Sequence, residues 1–156
     1  MRSRLIGAGA AVLCLAASCG GEQLDGKVVA VHDGDTVTVL RGGEQVKVRL
    51  ACIDAPERGQ AFGSRSRERL AELVMRRAVT LEVIDHDQYG RTVAHLQCDG
   101  VDVNLEMVRA GLAWHYRYHC PNDTALAAAE AEARKAQRGL WADARPEAPW
   151  DWRRHR

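Results

Sequence analysis

Apolar and polar positions alternate along five short stretches of this chain, and a period of two is typical of half-buried β-strands. The stretches cover residues 26–31, 36–41, 45–53, 79–84 and 92–97. Turns rich in Gly and Asp separate several of them. The pattern therefore predicts five strands, with a tight connection between the first two and a second one before the third.

Apolar positions recur every three to four residues in three other stretches, which predicts amphipathic helices. These helices are expected over residues 63–77, over residues 103–110, and from residue 122 or 123 to residue 138. Gly111 and Gly139 follow the last two, where glycine commonly ends a helix. The order of elements is typical of an α+β fold in which a small five-stranded barrel carries three helices, and an OB-fold barrel is the obvious candidate.

The length and charge of the chain limit the possible functions. The 156 residues suffice for one domain with a proper core. Lys and Arg number 22 against 21 Asp and Glu, so the net charge is +1. No global positive field attracts nucleic acid, and any attraction for phosphate must be local.

The first residues have the pattern of an export signal. Arg2 and Arg4 precede an apolar run over residues 5–17, and small residues lead to Cys19. This resembles a bacterial lipoprotein signal that is cleaved before Cys19, which would then carry a lipid anchor in a membrane. The alternative is ordinary secretion with cleavage nearby, and both predict an exported protein of the cell envelope, the periplasm or the medium.

The predicted domain organisation follows from these segments. A signal occupies residues 1–19, a short linker residues 20–25, the folded domain residues 26–142, and a tail rich in Pro, Trp and Arg residues 143–156. We expect the tryptophans of the last part of the chain to pack back on the domain.

Export changes the interpretation of the cysteines. Cys98 and Cys120 could form a disulfide in an oxidising compartment, and the alternative is two free thiols. Cys52 lies in an apolar strand pattern and is expected as a small buried apolar residue.

Two carboxylates are candidate ligands for a hard metal ion. Asp35 lies at a turn and Asp54 at a strand end, and the pair offers only oxygen ligands. An all-oxygen set favours Ca²⁺ or Mg²⁺ over zinc. Taken singly, the segment Asp33-Gly34-Asp35 is more typical of a plain hairpin turn than of a metal site.

Arg49 and Arg91 are candidate phosphate ligands, because a guanidinium matches phosphate oxygens with two hydrogen bonds and stays charged. Glu57 could be the general base that activates water. Tyr89 could contact a base or a phosphate. Each residue also has an ordinary interpretation as a surface arginine, a solvated loop acid or a packing tyrosine.

The joint order of these motifs resembles the staphylococcal nuclease-like family. The matching stretches are Asp33-Gly34-Asp35-Thr36, Arg49-Leu50, Asp54-Ala55-Pro56-Glu57, Tyr89-Gly90-Arg91, Val103-Asn104, the run over residues 108–113, and Gly139-Leu140-Trp141. The resemblance covers about residues 26–142.

The resemblance implies an OB-type barrel with three helices and Ca²⁺-dependent cleavage of DNA and RNA, with little sequence preference and 3′-phosphate products. It also implies the roles of single residues. The metal ligands would be Asp35, Asp54 and the carbonyl of Ala55, whose side chain should matter little. The scissile phosphate would be held by Arg49 and Arg91. Glu57 would assist the attacking water, and Tyr89 would touch a substrate phosphate.

An aromatic stretch at residues 114–119 adds two candidate substrate contacts. Tyr116 and Tyr118 could stack on bases, which tolerates any sequence. His115 and His119 lie beside Cys120, so a zinc site is conceivable there. We do not expect it, because the segment lacks a helical pattern and an evident fourth ligand.

Two other functions remain open from the sequence. The protein could be a non-catalytic barrel that holds nucleic acid or a partner without cutting it, since a fold does not determine an activity. It could also be a surface lipoprotein whose Trp-rich tail docks another envelope protein. We expect the enzyme, as a monomer, because no catalytic position of the family is replaced.

Overall fold

The computed structural model describes residues 22–155. The predicted signal segment, including the proposed lipidation site Cys19, lies outside the described residues. None of the helices within residues 22–155 has the length and apolar character that a bilayer crossing requires.

Eight strands occur in the described chain, of which five are long enough to build the barrel. The long strands are β1 (Gln23–Val31), β2 (Thr36–Arg41), β3 (Glu44–Leu50), β5 (Ala78–His86) and β6 (Thr92–Cys98). The short ones are β4 (Ile53–Asp54), β7 (Val101–Asp102) and β8 (Trp114–His115).

The five long strands close into a barrel. Their order is β3-β2-β1-β5-β6, and each of these neighbouring pairs is antiparallel. A parallel pairing of β3 with β6 joins the two edges and sets Arg49 opposite Val93. The predicted five-stranded OB-type α+β fold is confirmed. Closure leaves no long free edge in the barrel.

The helices number four in residues 22–155, where three were predicted. They are α1 (Gly63–Val74), α2 (Val103–Arg109), α3 (Thr124–Lys135) and α4 (Pro149–Arg154), with a 3₁₀ turn at Gly139–Ala142. The fourth was missed because its six residues are too few for a helical period, although Pro149 stands at the first turn, where proline is favoured.

The predicted ends of α1 and α3 are three residues too late. Arg76, just beyond α1, has a φ of +62°, and Gln137, beyond α3, has a φ of +51°. A left-handed residue stops the helical hydrogen-bond ladder. Asp123, which is one of the two predicted starts of α3, is its N-cap. The Asp123 carboxylate accepts a hydrogen bond from the backbone N–H of Leu126.

The disulfide predicted between Cys98 and Cys120 is wrong. Cys120 is bonded to Cys52, with their Cα atoms 5.4 Å apart, and Cys98 is a buried free thiol on β6. Cys52 lies after β3 with a φ of +63°, so its side chain leaves the alternation of the strand. The predicted burial of Cys52 is confirmed, since it belongs to the main apolar cluster, but its sulfur forms a bridge to the segment before α3.

A second apolar cluster holds the C-terminal part of the chain against the domain. Trp114 packs against Trp141 at 4.4 Å and against Trp150 at 5.5 Å between ring centroids. Ala133 of α3 and Ala148 before α4 are buried in the same cluster. The expectation that tryptophans of this region pack back on the domain is confirmed for Trp141 and Trp150, and the packing fixes the start of α4.

Candidate active site

The two candidate metal ligands meet at one end of the barrel. Asp35 ends the turn between β1 and β2, where its backbone N–H donates to Asp33. Asp54 lies on β4, which pairs with β8. Asp35 and Asp54 are 5% and 1% exposed, and the backbone N–H of Ala55 donates to Oδ2 of Asp35 at 2.7 Å. The structure therefore brings all three predicted metal-site residues together.

Gly34 permits this close approach. A Cβ atom at this position would collide with the side chains of Ser66 on α1 and of Ala55. Ser66 is itself fixed by donating to the carbonyl of Leu112 at 2.6 Å. The glycine of the first motif is thus required for packing of the turn, apart from any role of Asp35.

Arg49 joins the two carboxylates. Its Nη1 lies 3.0 Å from Oδ2 of Asp35, and its Nη2 lies 3.0 Å from Oδ1 of Asp54. As the alternation of β3 predicts, its side chain lies on the face opposite to buried Val48 and Leu50. One guanidinium is therefore shared between two buried carboxyl groups at this end of the barrel.

Burial is the main cause that raises the pKa of Asp35 to about 7; the carboxylates of Asp33 and Asp54 act in the same direction, and Arg49 and the Ala55 N–H oppose them. A carboxyl in such a place is more stable neutral unless more positive charge is supplied. The pair of acids is therefore suited to receive a cation.

Glu57 lies on the loop that follows β4. Its backbone N–H donates to Oε1 of Gln60, and the side chain of Gln60 donates in turn to the carbonyl of Glu147 in the tail. The Glu57 carboxylate is 37% exposed and remains within reach of solvent water. The Glu57 carboxylate lies near that of Asp54, because the side chain of Arg153 contacts both.

Arg91 is held beside the cluster rather than in it. Its Nε donates to Oδ2 of Asp87 at 2.6 Å, and its guanidinium lies 5.4 Å from the ring of Tyr89, which is 75% exposed. Arg91 precedes Val93 by two residues, and Val93 is the partner of Arg49 across the parallel pair. The period of two therefore sets Arg91 toward the face that carries Arg49.

Comparison with known proteins gives the family of this chain. The profile of the family described as Staphylococcal nuclease homologue matches residues 47–143. The chain belongs to the staphylococcal nuclease family. It is a phosphodiester-hydrolysing endonuclease of that family, and the predicted resemblance is confirmed.

Three relatives extend the match over nearly the whole chain. A Micrococcal nuclease of Shigella flexneri is 44% identical over 93% of this chain and 89% of its own length. A protein of Escherichia coli described as Protein ParB is 41% identical over 94% of this chain and 89% of its own length. An uncharacterized endonuclease of Haemophilus influenzae is 41% identical over 92% of this chain and 80% of its own length.

One side chain in this nuclease site was not anticipated from the sequence. Arg153 of α4 donates from Nη2 to Oδ2 of Asp54 at 2.7 Å and from Nη1 to Oε1 of Glu57 at 2.6 Å. The hydrogen bond to Asp54 and, to a smaller extent, the hydrogen bond to Glu57 raise the pKa of Arg153 above its ordinary value. Arg153 lies beyond the stretch that the family profile matches. The only signal for it was its place in a basic, Trp-rich tail.

The predicted stacking tyrosines lie in a groove beside the nuclease site. A cavity of about 330 Å³ is lined by Tyr116, Tyr118, Trp150 and neighbouring residues. The Tyr116 ring lies 5.5 Å from the Trp150 ring and 6.2 Å from that of Tyr118, which is 84% exposed. The groove is therefore aromatic and open.

The structure gives no support to zinc at the histidines of this groove. Nε2 of His115 is engaged with the carbonyl of Cys120 at 2.8 Å, and the Cys120 sulfur is consumed by the disulfide. Within residues 22–155 no group of three His, Cys, Asp or Glu side chains is arranged to hold a metal. A cation at Asp35 and Asp54 would therefore complete its shell with backbone carbonyl and water oxygens, which Ca²⁺ accepts.

Proposed function

We propose that this member of the family is an exported, Ca²⁺-dependent endonuclease that cuts DNA and RNA with little sequence preference and leaves 3′-phosphate ends. The observation that carries the proposal is the bridge from Arg49 to both Asp35 and Asp54. It supplies two carboxylates for a cation and a guanidinium for a phosphate within one small volume, which is what phosphodiester hydrolysis requires.

The reaction is an in-line displacement at phosphorus. Glu57 accepts a proton from a water molecule as the water oxygen forms a new bond to phosphorus. The bond from phosphorus to the 5′-oxygen breaks, that oxygen takes a proton from solvent water and leaves as a 5′-hydroxyl, and Glu57 returns its proton to solvent. The phosphate remains on the 3′-oxygen, so atoms and charge balance with water as the only co-reactant.

The two predicted arginines bind the phosphate oxygens. Arg49 and Arg91 would stabilise the negative charge that gathers on the equatorial oxygens in the transition state. Asp87 fixes Arg91 through Nε, which leaves the terminal nitrogens of the guanidinium to face a ligand. Arg49 has to exchange its contacts with the acids for contacts with phosphate.

A bound Ca²⁺ ion would supply positive charge at the phosphate and lower the cost of the buried carboxylates. Asp35, Asp54 and the Ala55 carbonyl would hold it. The donor chemistry fits, because the set is all oxygen and burial raises the pKa of Asp35 in the absence of further positive charge.

The aromatic groove supports low sequence preference. Tyr116 and Tyr118 would stack on bases, and each base offers a ring face regardless of identity. Tyr89, which is exposed next to Arg91, would contact a phosphate of the substrate. None of these contacts reads base edges, so both DNA and RNA are acceptable.

The cellular setting is part of the proposal. The disulfide between Cys52 and Cys120 supports folding in an oxidising compartment, because such bonds are rare in the cytosol. We place the protein in the cell envelope, the periplasm or the medium, as a monomer and with a lipid on Cys19 if the signal is of the lipoprotein type.

A nuclease assay with a metal series tests the proposal. The purified mature protein should release acid-soluble nucleotides from DNA and RNA with Ca²⁺ and should lose this activity with a chelator. Asp54→Asn should be inactive, while Asp143→Asn, an exposed acid near the tail, should match the parent. Cleavage that persists in chelator would overturn the metal assignment, and 5′-phosphate ends would overturn the reaction as written.

A non-catalytic binding protein is the alternative that the same experiment addresses. Tight binding of nucleic acid without turnover in Ca²⁺, Mg²⁺ and Mn²⁺ would favour it. The presence of both acids, both arginines and Glu57 argues for turnover.

A further inference from the structure

The C-terminal helix α4 carries a guanidinium into the acids of the nuclease site. Nη2 of Arg153 lies 2.7 Å from Oδ2 of Asp54, and Nη1 lies 3.2 Å from Oδ1, so both oxygens of this carboxylate are engaged. The same Nη1 lies 2.6 Å from Oε1 of Glu57. One tail residue thus contacts a proposed metal ligand and the proposed base together.

The start of α4 is anchored, while the Arg153 side chain itself has room to leave. Trp150 packs on Trp114 and Tyr116 with ring centroids 5.5 Å apart in each pair. Gln60 fixes the preceding residue Glu147 by a hydrogen bond to its carbonyl. The Arg153 side chain is 44% exposed, so a change of rotamer can withdraw it without undocking the helix.

A metal ion at Asp54 and the observed contacts of Arg153 exclude each other. Oδ1 of Asp54 already accepts from Arg49 at 3.0 Å, and Arg153 occupies a second position on Oδ1 and one on Oδ2, at 3.2 and 2.7 Å. A divalent cation on the same carboxylate would also lie within a few ångströms of the guanidinium, and like charges at such distances repel strongly in a site of low polarity.

We propose that Arg153 sets the Ca²⁺ affinity of this nuclease by competing with the ion for Asp54 and Glu57. At low Ca²⁺ the guanidinium offsets the charge of the two acids and occupies Oε1 of Glu57. Binding of Ca²⁺ displaces it, which frees the base at the same time as the metal site fills. This inference rests on the proposed calcium dependence of the same site.

Calorimetric titration of Ca²⁺ into the mature protein, with no nucleic acid present, tests the proposal. Arg153→Gln should lower the Kd about three- to tenfold, the range expected for loss of a partly exposed but bidentate charge pair. Arg154→Gln is the matched control, since this neighbour on the same helix pairs with Asp151 and is 76% exposed. It should leave the Kd within about twofold.

A second measurement follows the arginine directly. In the wild-type protein the Nε–H signal of Arg153 in a ¹⁵N spectrum, assigned by its loss in Arg153→Gln, should shift and exchange faster as Ca²⁺ is added. Arg153→Lys, which keeps the charge but not the two-nitrogen fork, should give an intermediate Kd. Melting curves of all variants show whether each remains folded.

The outcomes separate this inference from the function on which it rests. If the wild type binds Ca²⁺ and Arg153→Gln binds it equally or more weakly, competition is wrong while calcium dependence stands. If neither protein binds Ca²⁺, calcium dependence is wrong and the inference falls with it. If Arg153→Gln binds Ca²⁺ more tightly than the wild type while Arg154→Gln does not, and the Arg153 signal of the wild type shifts, then both the competition and the calcium dependence are supported.

Discussion

The side chain of Asn104 donates from Nδ2 to the carbonyl of Ala51 at 2.9 Å, and this bond ties the first turn of α2 to the turn that leads into Asp54. The Oδ1 atom of Asn104 accepts from the backbone N–H of Leu96 at 3.0 Å, and the residue is 1% exposed. A single amide therefore positions the metal-site strand against the barrel wall.

Asn104→Ala is expected to lower the free energy of unfolding by about 3 kcal/mol, because it leaves a buried carbonyl and a buried N–H without partners. Urea denaturation measures this loss. Asn122→Ala, at an exposed position before α3, should change it by less than about 0.5 kcal/mol. Equal effects of the two substitutions would mean that the Ala51 bond contributes nothing.

Arg49→Ala is expected to reduce kcat about 10²- to 10³-fold, since it removes a fixed charge from the scissile phosphate. Arg49→Lys should recover only part of this, because an ammonium keeps the charge but lacks the planar fork that contacts two phosphate oxygens at once. Steady-state cleavage of a short labelled DNA checks both variants. Arg67→Ala, on the exposed face of α1, controls for the loss of one positive charge, and a kcat equal to that of this control would contradict the role of Arg49.

Arg91→Ala should lower kcat by a factor on the order of 10² while changing the free energy of unfolding by less than about 1 kcal/mol, since its pair with Asp87 is partly exposed. A fall in kcat at nearly unchanged free energy of unfolding identifies a contact with substrate rather than a contact that stabilises the fold. Arg77→Ala removes a more exposed pair with Asp99, next to the start of β5, and should leave kcat unchanged. A loss of stability without a loss of kcat in Arg91→Ala would contradict the assignment.

Removing the disulfide should destabilise the protein by about 2–4 kcal/mol, because the bond closes a separation of 68 residues in the unfolded chain. The variant carries Cys52→Ala and Cys120→Ala together, and guanidinium denaturation measures it. Cys98→Ser, at the buried free thiol, tests the alternative pairing. Alkylation and mass spectrometry of the unreduced protein should label Cys98 only after unfolding, and a labelled Cys52 would contradict the bond.

The barrel was predictable because its strands obey a simple alternation. Val46, Val48 and Leu50 on one side of β3 and Arg49 on the other require only a period of two. The convergence of Asp35 with Asp54 was also accessible, since a turn and a strand end are common places for ligands. The resemblance to the family then related residues that are far apart in sequence.

The failures share a physical cause, which is that they depend on side-chain reach in three dimensions. Cys52 pairs with Cys120 because a left-handed residue breaks the alternation. Arg153 reaches Asp54 across 99 positions of sequence because Trp150 docks a six-residue helix beside the site. No local pattern distinguishes Arg153 from Arg154, although only the former contacts the acids.

The parallel pairing of β3 with β6 has a consequence for when the active site is complete. The pairing sets Arg49 opposite Val93, two residues after Arg91, so the two arginines belong to one site only when β3 and β6 are joined. A chain in which this pairing is open carries the same residues without the assembled site.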